Sequence, residues 1–222
     1  LFHFGRVLAL PVEEGVGGLP AYLVVNFLVP NYTPNLIGAR RTNGPGWQLV
    51  IACRLSELAR SEIAEGHISP AVDLARRFMH PEEGKQLRRE RLKCIFGVPD
   101  PQEPGFNYVT KQLVQNYNYK PFLSKTACSF HSVPERGYFE IDLDTHTWGT
   151  AALNGLNSLK SRLAKATLRA GIVIEAEGDE EMPEQMLATT YLSYLDPART
   201  RVIPQEVVDY LTDESQAPSP LS

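Results

Sequence analysis

Apolar and polar residues alternate without interruption over 138–144: Phe139, Ile141 and Leu143 fall on one side, and Tyr138, Glu140, Asp142 and Asp144 on the other. A period of two is that of a strand with one face in the core and one in water. The pattern predicts a wet face for the three carboxylates, with Asp142 and Asp144 solvent-facing and holding no metal. Residues 21–29 differ. Ala-Tyr-Leu-Val-Val-Asn-Phe-Leu-Val is apolar almost throughout and stops at Pro30, the composition of a strand buried on both faces. Polar, Pro- and Gly-rich residues 31–46 read as a loop, while 47–55, 92–98, 108–114, 122–130 and 188–195 read as further strands.

Helical signals sit between these strands. Ser69 before Pro70 is an N-cap with proline at the first helical position, and Val72, Leu74, Ala75 and Phe78 supply one apolar face. Short helices are expected from Pro81 and from Pro183. From Thr150 the period lengthens: Leu153, Leu156, Leu159, Leu163, Ala166 and Ala170 step by three or four, with Asn154, Asn157, Lys160, Ser161, Lys165 and Arg169 between them. That spacing predicts an amphipathic helix of about seven turns, with Leu159 buried and Lys160 in solvent. The predicted fold class is α+β, a curved antiparallel sheet packed around one long C-terminal amphipathic helix, with short helices between strands.

Composition bounds the class. A chain of 222 residues, 43% hydrophobic and 22% charged, is long enough for one large soluble domain. No apolar run approaches the roughly 20 residues that cross a bilayer. The expected organisation is a single domain over 1–200 and a C-terminal extension over 201–222, disordered at its polar, Pro-containing end. The chain opens at Leu1 with neither a basic nor an apolar leader, so a piece of a longer protein is expected. Cys53, Cys94 and Cys128 are odd in number and widely spaced, each in an apolar strand-like segment, which fits reduced thiols in an intracellular, cytoplasmic setting.

The formal charge of −4 conceals an asymmetry. Arg76, Arg77, Lys85, Arg88, Arg89, Arg91 and Lys93 face only three acids in their own run, whereas 175–184 carries six acids and no base. Opposite-signed patches are expected. Each run reads as a solvated face, and the basic one also as a contact for anionic lipid headgroups or an acidic partner.

Several short stretches follow one another in a recognisable order: Leu23-Val24-Val25-Asn26-Phe27-Leu28-Val29-Pro30, Arg77-Phe78, Arg91-Leu92-Lys93-Cys94-Ile95, Val109-Thr110-Lys111, Ser124-Lys125-Thr126, the alternating run at 138–144, and Ile174-Glu175-Ala176 with Glu180-Glu181-Met182-Pro183-Glu184. Together they resemble the C-terminal domain of the plant Enhanced Disease Resistance 2 family, over about residues 4–197. Members of that family often carry a pleckstrin-homology domain and a START lipid-transfer domain upstream. The resemblance therefore implies a START-associated, lipid-linked domain, peripheral at membranes. It carries no catalytic residues over. The chain departs from the family pattern at 31–46, an insertion, and at 80–86, where His-Pro-Glu-Glu-Gly-Lys-Gln replaces an acidic turn.

The search for chemistry excludes more than it finds. Gly15-Val16-Gly17-Gly18 precedes a strand and fails as a dinucleotide loop; no Walker-type Gly-Lys-Ser/Thr and no nucleophile elbow occur. Cys128, His131, Asp142, Asp144 and His146 are the nearest approach to a metal set, but Cys128 and His131 should point to opposite faces of one strand. His131 and His146 read instead as surface or cap residues, and Trp47 and Trp148 as core or rim aromatics. The basic run lacks the interleaved aromatics of a nucleic-acid surface. The expectation is a non-enzymatic domain with no cofactor and no metal. Two readings of its function remain. One is a lipid-binding or membrane-associated regulatory domain with an apolar cavity between sheet and helix, its headgroup contacts being Lys111, Lys125, Arg88, Arg89 and Arg91. The other is a protein-interaction domain with a filled core, for which Lys111 and Lys125 are outward-pointing strand lysines that guard an edge.

Overall fold

A run as apolar as 22–30 cannot present a face to water, and it forms β1 (Tyr22–Pro30) in the interior of a sheet. The computed structural model of the chain describes residues 6–35, 44–101, 105, 106, 108–125, 127–160, 162–213 and 221. On either side of β1 lie β2 (Gly46–Arg54), antiparallel, and β6 (Tyr138–Asp144), parallel. β5 (Cys128–Val133) completes this first sheet in the order β2-β1-β6-β5. The second sheet has the order β4-β3-β7-β8, from β3 (Leu92–Gly97), β4 (Phe122–Leu123), β7 (Thr167–Ile174) and β8 (Met186–Ser193), all antiparallel. The class is thus α+β, with two mostly antiparallel four-stranded sheets in place of the single curved sheet.

The sheets face each other across one core. Leu23, Val25, Phe27, Phe139, Ile141 and Leu143 of the first sheet pack with Leu92, Cys94, Ile172 and Ile174 of the second. Phe27 meets Phe96 edge to face, with ring centroids 5.6 Å apart, and so joins the two layers. Among the described residues the helices are α1 (Glu57–Ala64), α2 (Pro70–Met79), α3 (Gly84–Glu90), α4 (Tyr108–Tyr117), α5 (Thr150–Lys160) and α6 (Gln205–Thr212). α2 starts as its sequence predicts: the Ser69 hydroxyl accepts from the Val72 amide at 3.3 Å and Pro70 opens the first turn. Its Leu74, Ala75, Phe78 and Met79 enter the inter-sheet core, where Phe78 packs 5.6 Å from Phe130 and 6.2 Å from Phe139.

Four expectations fail for physical reasons. The long helix ends at Lys160 after three turns, and β7 follows from Thr167. Gly171 and the β-branched Ile172, Val173 and Ile174 disfavour helix, and the three-four stepping of Leu163, Ala166 and Ala170 is a coincidence of spacing. Lys160 is not in solvent: its Nζ donates to the carbonyls of Pro30 at 2.8 Å and Tyr32 at 3.3 Å, and lies 5.5 Å over the Trp47 ring. The strand predicted at 108–114 is helix α4. Thr110 and Val114, four apart, are both buried while Tyr108 is 77% exposed, which a helix allows and a strand forbids for Tyr108 and Thr110. No helix starts at Pro183; a 3-10 turn at Asp179–Glu181 precedes it, and β8 follows from Met186.

The fourth failure concerns β6. Tyr138, Glu140 and Asp142 share a face as the alternation requires, but that face is buried, with Glu140 and Asp142 at 0% exposure. Period two assigns residues to faces without saying which face is wet. The second face is dry because the N-terminal segment lies on it: Leu8 and Leu10 pack against Tyr22, Val24 and Tyr138 on that side of the sheet, and Arg136 donates to the carbonyls of Arg6 and Leu8.

α6 falls within the predicted extension and is tied back to the body: Arg6 donates to the Leu211 carbonyl at 3.3 Å and lies 4.4 Å over the Tyr210 ring. The predicted disordered end lies, apart from Asp213 and Leu221, outside the described residues. Of the residues 31–46 assigned to a loop, 36–43 do likewise.

Phe78 closes the core between sheets and α2, so Phe78→Ala should cost about 3–5 kcal/mol. Tyr108→Ala should stay within about 0.5 kcal/mol. Urea denaturation of the two variants checks the difference, and equal midpoints would contradict this packing.

Candidate functional site

The five cations assigned to headgroup binding have different environments. Arg88, on α3, is 1% exposed, and its guanidinium donates to the carbonyls of Phe78, His80 and Pro81, each at 2.8 Å. It therefore closes the turn between α2 and α3, and burial lowers its pKa below the usual arginine value. Arg91, at the C-terminal end of α3, has Nη1 2.9 Å from Glu181 and Nη2 2.7 Å from Glu177. Arg89 is exposed. Lys125 is exposed one residue beyond Ser124, whose amide donates to the Leu92 carbonyl at 2.9 Å, so it lies at the same end of β3 as Arg91. Lys111 is half-buried on α4, whose Val114 packs with Val98 and Phe106 beyond the other end of β3. The six residues of β3, roughly 20 Å of strand, lie between that end and the one that carries Arg91 and Lys125.

Much of the basic run turns inward because the acidic run comes to meet it. Glu181, 5% exposed, accepts from Arg77 Nη2 at 2.7 Å, from Arg91 Nη1 and from the Glu177 amide at 2.9 Å. Lys93 lies 2.8 Å from Glu184 and 3.1 Å from Glu175. The register places these groups together: β3 runs beside β7 with Leu92 opposite Ile174, and Glu175 donates its amide to the Arg91 carbonyl at 2.8 Å. Burial pushes the Glu181 carboxyl up, but the Glu177 amide and then Arg77 and Arg91 outweigh it, leaving a net pKa below the ordinary value. Glu184 shifts down in the same way, burial being outweighed by Lys93 and the Ala176 amide. Arg77 is raised, chiefly by its hydrogen bond to Glu181. The sequence signal was there as two runs of opposite sign; it did not say that they neutralise each other.

A second cluster lies on the far face of the first sheet. Asp142 accepts from Asn26 Nδ2 at Oδ1, 2.9 Å away, and from the Ser129 hydroxyl at Oδ2, 3.3 Å away, and His131 Nε2 stands 3.3 Å from the same Oδ2. His131 is opposite Glu140 in the β5–β6 register, and Asn26, His131, Glu140 and Asp142 are all 1% exposed or less. His131 is thus a buried network member and no surface residue. Cys128 sits on the core side, opposite Leu143. His146, also buried, bonds through Nδ1 to Asp144 at 2.9 Å, and Asp144 caps the 3-10 turn at Thr145–Thr147. Among the described residues no three His, Cys, Asp or Glu side chains are arranged to hold a metal ion. Trp148 is a rim aromatic, 5.4 Å from Phe122.

Between the two sheets, Val25, Phe27, Ile51, Cys53, Ile172 and Ala188 line a half-open gap of only 20 Å³. That is room for about one water, whereas sites for small ligands run to about 300–1,000 Å³. Among the described residues no helix is long and apolar enough to cross a membrane.

Glu181→Gln should lower stability at pH 7 by roughly 1.5–3 kcal/mol, since it removes the charge from hydrogen bonds to Arg77 and Arg91. A folded-state pKa below the unfolded one, about 4.3, contributes stability that is complete above that value and is lost as pH falls through the folded pKa. The gap between wild type and variant should therefore close on acidification below about pH 5. Urea midpoints from pH 7 to 3 measure it; a constant gap would contradict the pairing.

Comparison with known proteins gives one match. Residues 6–196 match the family described as Protein Enhanced Disease Resistance 2, C-terminal. No curated protein and no solved structure matches the chain. The match spans β1 to β8 and takes in both sheets, the paired charge runs and the buried network of β6, and with it the chain belongs to the Enhanced Disease Resistance 2 C-terminal family.

Proposed function

We propose that this is a non-enzymatic regulatory domain that acts through surface contact, with a filled core and no ligand enclosed between its layers. The observation that carries this reading is the 20 Å³ gap where the sheets meet. An acyl chain needs a volume at least an order of magnitude larger. The family supports a regulatory role. The paired charges favour contact of a particular kind: with Arg77, Arg91 and Lys93 held by Glu175, Glu177, Glu181 and Glu184, the run is an internal clasp and offers little net charge outward.

One observation favours a second reading, peripheral contact with an anionic membrane. Around β4, Phe122 and Leu123 are each 37% exposed, and exposed Lys120 and Lys125 flank them. Apolar residues between cations suit an interface of headgroups and acyl chains. Of the five predicted headgroup contacts, Lys125 and Arg89 serve this reading; Arg88 and Arg91 are engaged within the fold, and Lys111 stands at the other end of β3.

Native mass spectrometry with lipid extraction tests the main reading: the purified domain should carry no lipid, and a stoichiometric lipid would overturn the filled core. Sedimentation with vesicles containing phosphatidylserine tests the second. Each cation near the surface contributes about 1 kcal/mol and is screened over about 8 Å at physiological salt. Binding by this route should be salt-sensitive and should fall in Lys125→Glu and Leu123→Asp; no binding at low salt removes the membrane reading.

A further inference from the structure

Sheet edges expose unpaired main-chain donors and acceptors, and most folded chains guard them with charges, proline or cover. Here the guards are unevenly distributed. The β5 edge is met by the chain itself, through the Leu221 amide on the Phe130 carbonyl at 2.8 Å. β4 is two residues long. β2 has Lys160 over Trp47 at one end and Arg54, bonded to Glu13 at 2.8 Å, at the other. β8 carries no charge of its own, and the cation over it, Arg169 of β7 above Tyr191, lies on the outer face of the sheet and not on the edge. The eight residues of β8, Met-Leu-Ala-Thr-Thr-Tyr-Leu-Ser, contain no Asp, Glu, Lys, Arg or Pro.

The hydrogen-bond phase of β8 is fixed. Tyr194 donates to the Ala166 carbonyl at 3.2 Å, and Thr167 stands opposite Ser193. On the other side of β7, Glu175 donates to Arg91. Alternation then turns the even residues of β7 toward β8, so Ala188, Thr190 and Leu192 bond inward, while Thr189, Tyr191 and Ser193 aim their N–H and C=O groups away from the sheet. Those three residues are exposed, and among the described residues no strand or loop covers them.

We propose that the β8 edge pairs with the β8 edge of a second copy of this chain, antiparallel about a two-fold axis through Tyr191. That register sets Tyr191 against its symmetry mate and Thr189 against Ser193 of the other copy, so every outward donor meets an acceptor, about six bonds in all. Like residues face each other at a two-fold, and an uncharged strand is what such an axis tolerates. Arg169 on β7 lies 4.4 Å over the Tyr191 ring on the outer face of the sheet. Pairing would join two four-stranded sheets into one of eight. The inference deepens the surface-contact reading and rests on it, naming one partner, a second copy. An uncharged peptide strand from another protein is the competing occupant.

Sedimentation velocity on the 222-residue chain, from about 1 to 200 μM, should show a concentration-dependent dimer. Tyr191→Lys, which sets like charges against each other on the axis, should be monomeric while still folded, with a cooperative urea transition whose midpoint falls only by the loss of the Arg169 contact. Tyr191→Cys should give a covalent dimer under mild oxidation at least tenfold faster than Val202→Cys, a control at a position 92% exposed. Hydrogen-bonded antiparallel pairs place Cα atoms about 5.5 Å apart, within disulfide range. A chain monomeric at 200 μM, with the two cysteine variants cross-linking equally, overturns the self-pairing. Lipid extraction judges the surface-contact reading separately, so the two can fail independently.

Discussion

The fold depends on burying both faces of the parallel pair β1 and β6. Parallel neighbours cannot be joined by a tight turn, so the chain must travel between them, and it does so through β2, the first four helices, β3, β4 and β5. That excursion supplies what the pair needs. Its second sheet, completed by β7 and β8 from later in the chain, covers the face bearing Leu23, Val25, Phe27, Phe139, Ile141 and Leu143, and α2 fills the gap with Phe78. The other face bears Val24, Asn26, Glu140 and Asp142, also fully buried.

A buried face that carries carboxylates must satisfy them, because an unpaired charge in an apolar interior costs several kcal/mol. Hydrogen bonds from Asn26 on β1 and Ser129 on β5 to Asp142 on β6, with His131 Nε2 3.3 Å from the carboxylate, are the local answer. Register is thereby specified twice, by the apolar side and by the polar one. A slip of one residue on β6 would place Asp142 in the phenylalanine core and Ile141 among amides.

The two charge runs solve a related problem in the second sheet. Around 90 residues separate Arg91 from Glu181 in the chain, yet the β3–β7 ladder brings the bases of one strand beside the acids that follow the other. The net charge available to an outside partner is therefore smaller than either run suggests. What remains outward is a rim of apolar residues and lysines at β4, and the uncharged edge of β8.

Sequence alone determined the local features. The cap at Ser69-Pro70 located α2, the valine-rich run located β1, and the alternation at 138–144 assigned each side chain of β6 to its face. The ordered motifs located the family. Local pattern failed where a tertiary partner chose between options the pattern left open. Val114 docks on Val98 and Phe106 with Thr110 buried one turn before it, which makes 108–117 a helix. The β-branched stretch at 172–174 finds β3 and β8, which ends the helix at Lys160 and makes 167–174 a strand. Asp142 lies dry because its side of the sheet is covered, with Leu8 and Leu10 packed on the face it shares with Val24 and Tyr138, and Arg91 is paired because β7 delivers Glu181 to it. Periodicity records which residues share a face; whether that face meets water, a helix or another strand depends on residues a hundred positions away, and only the assembled sheets decide it.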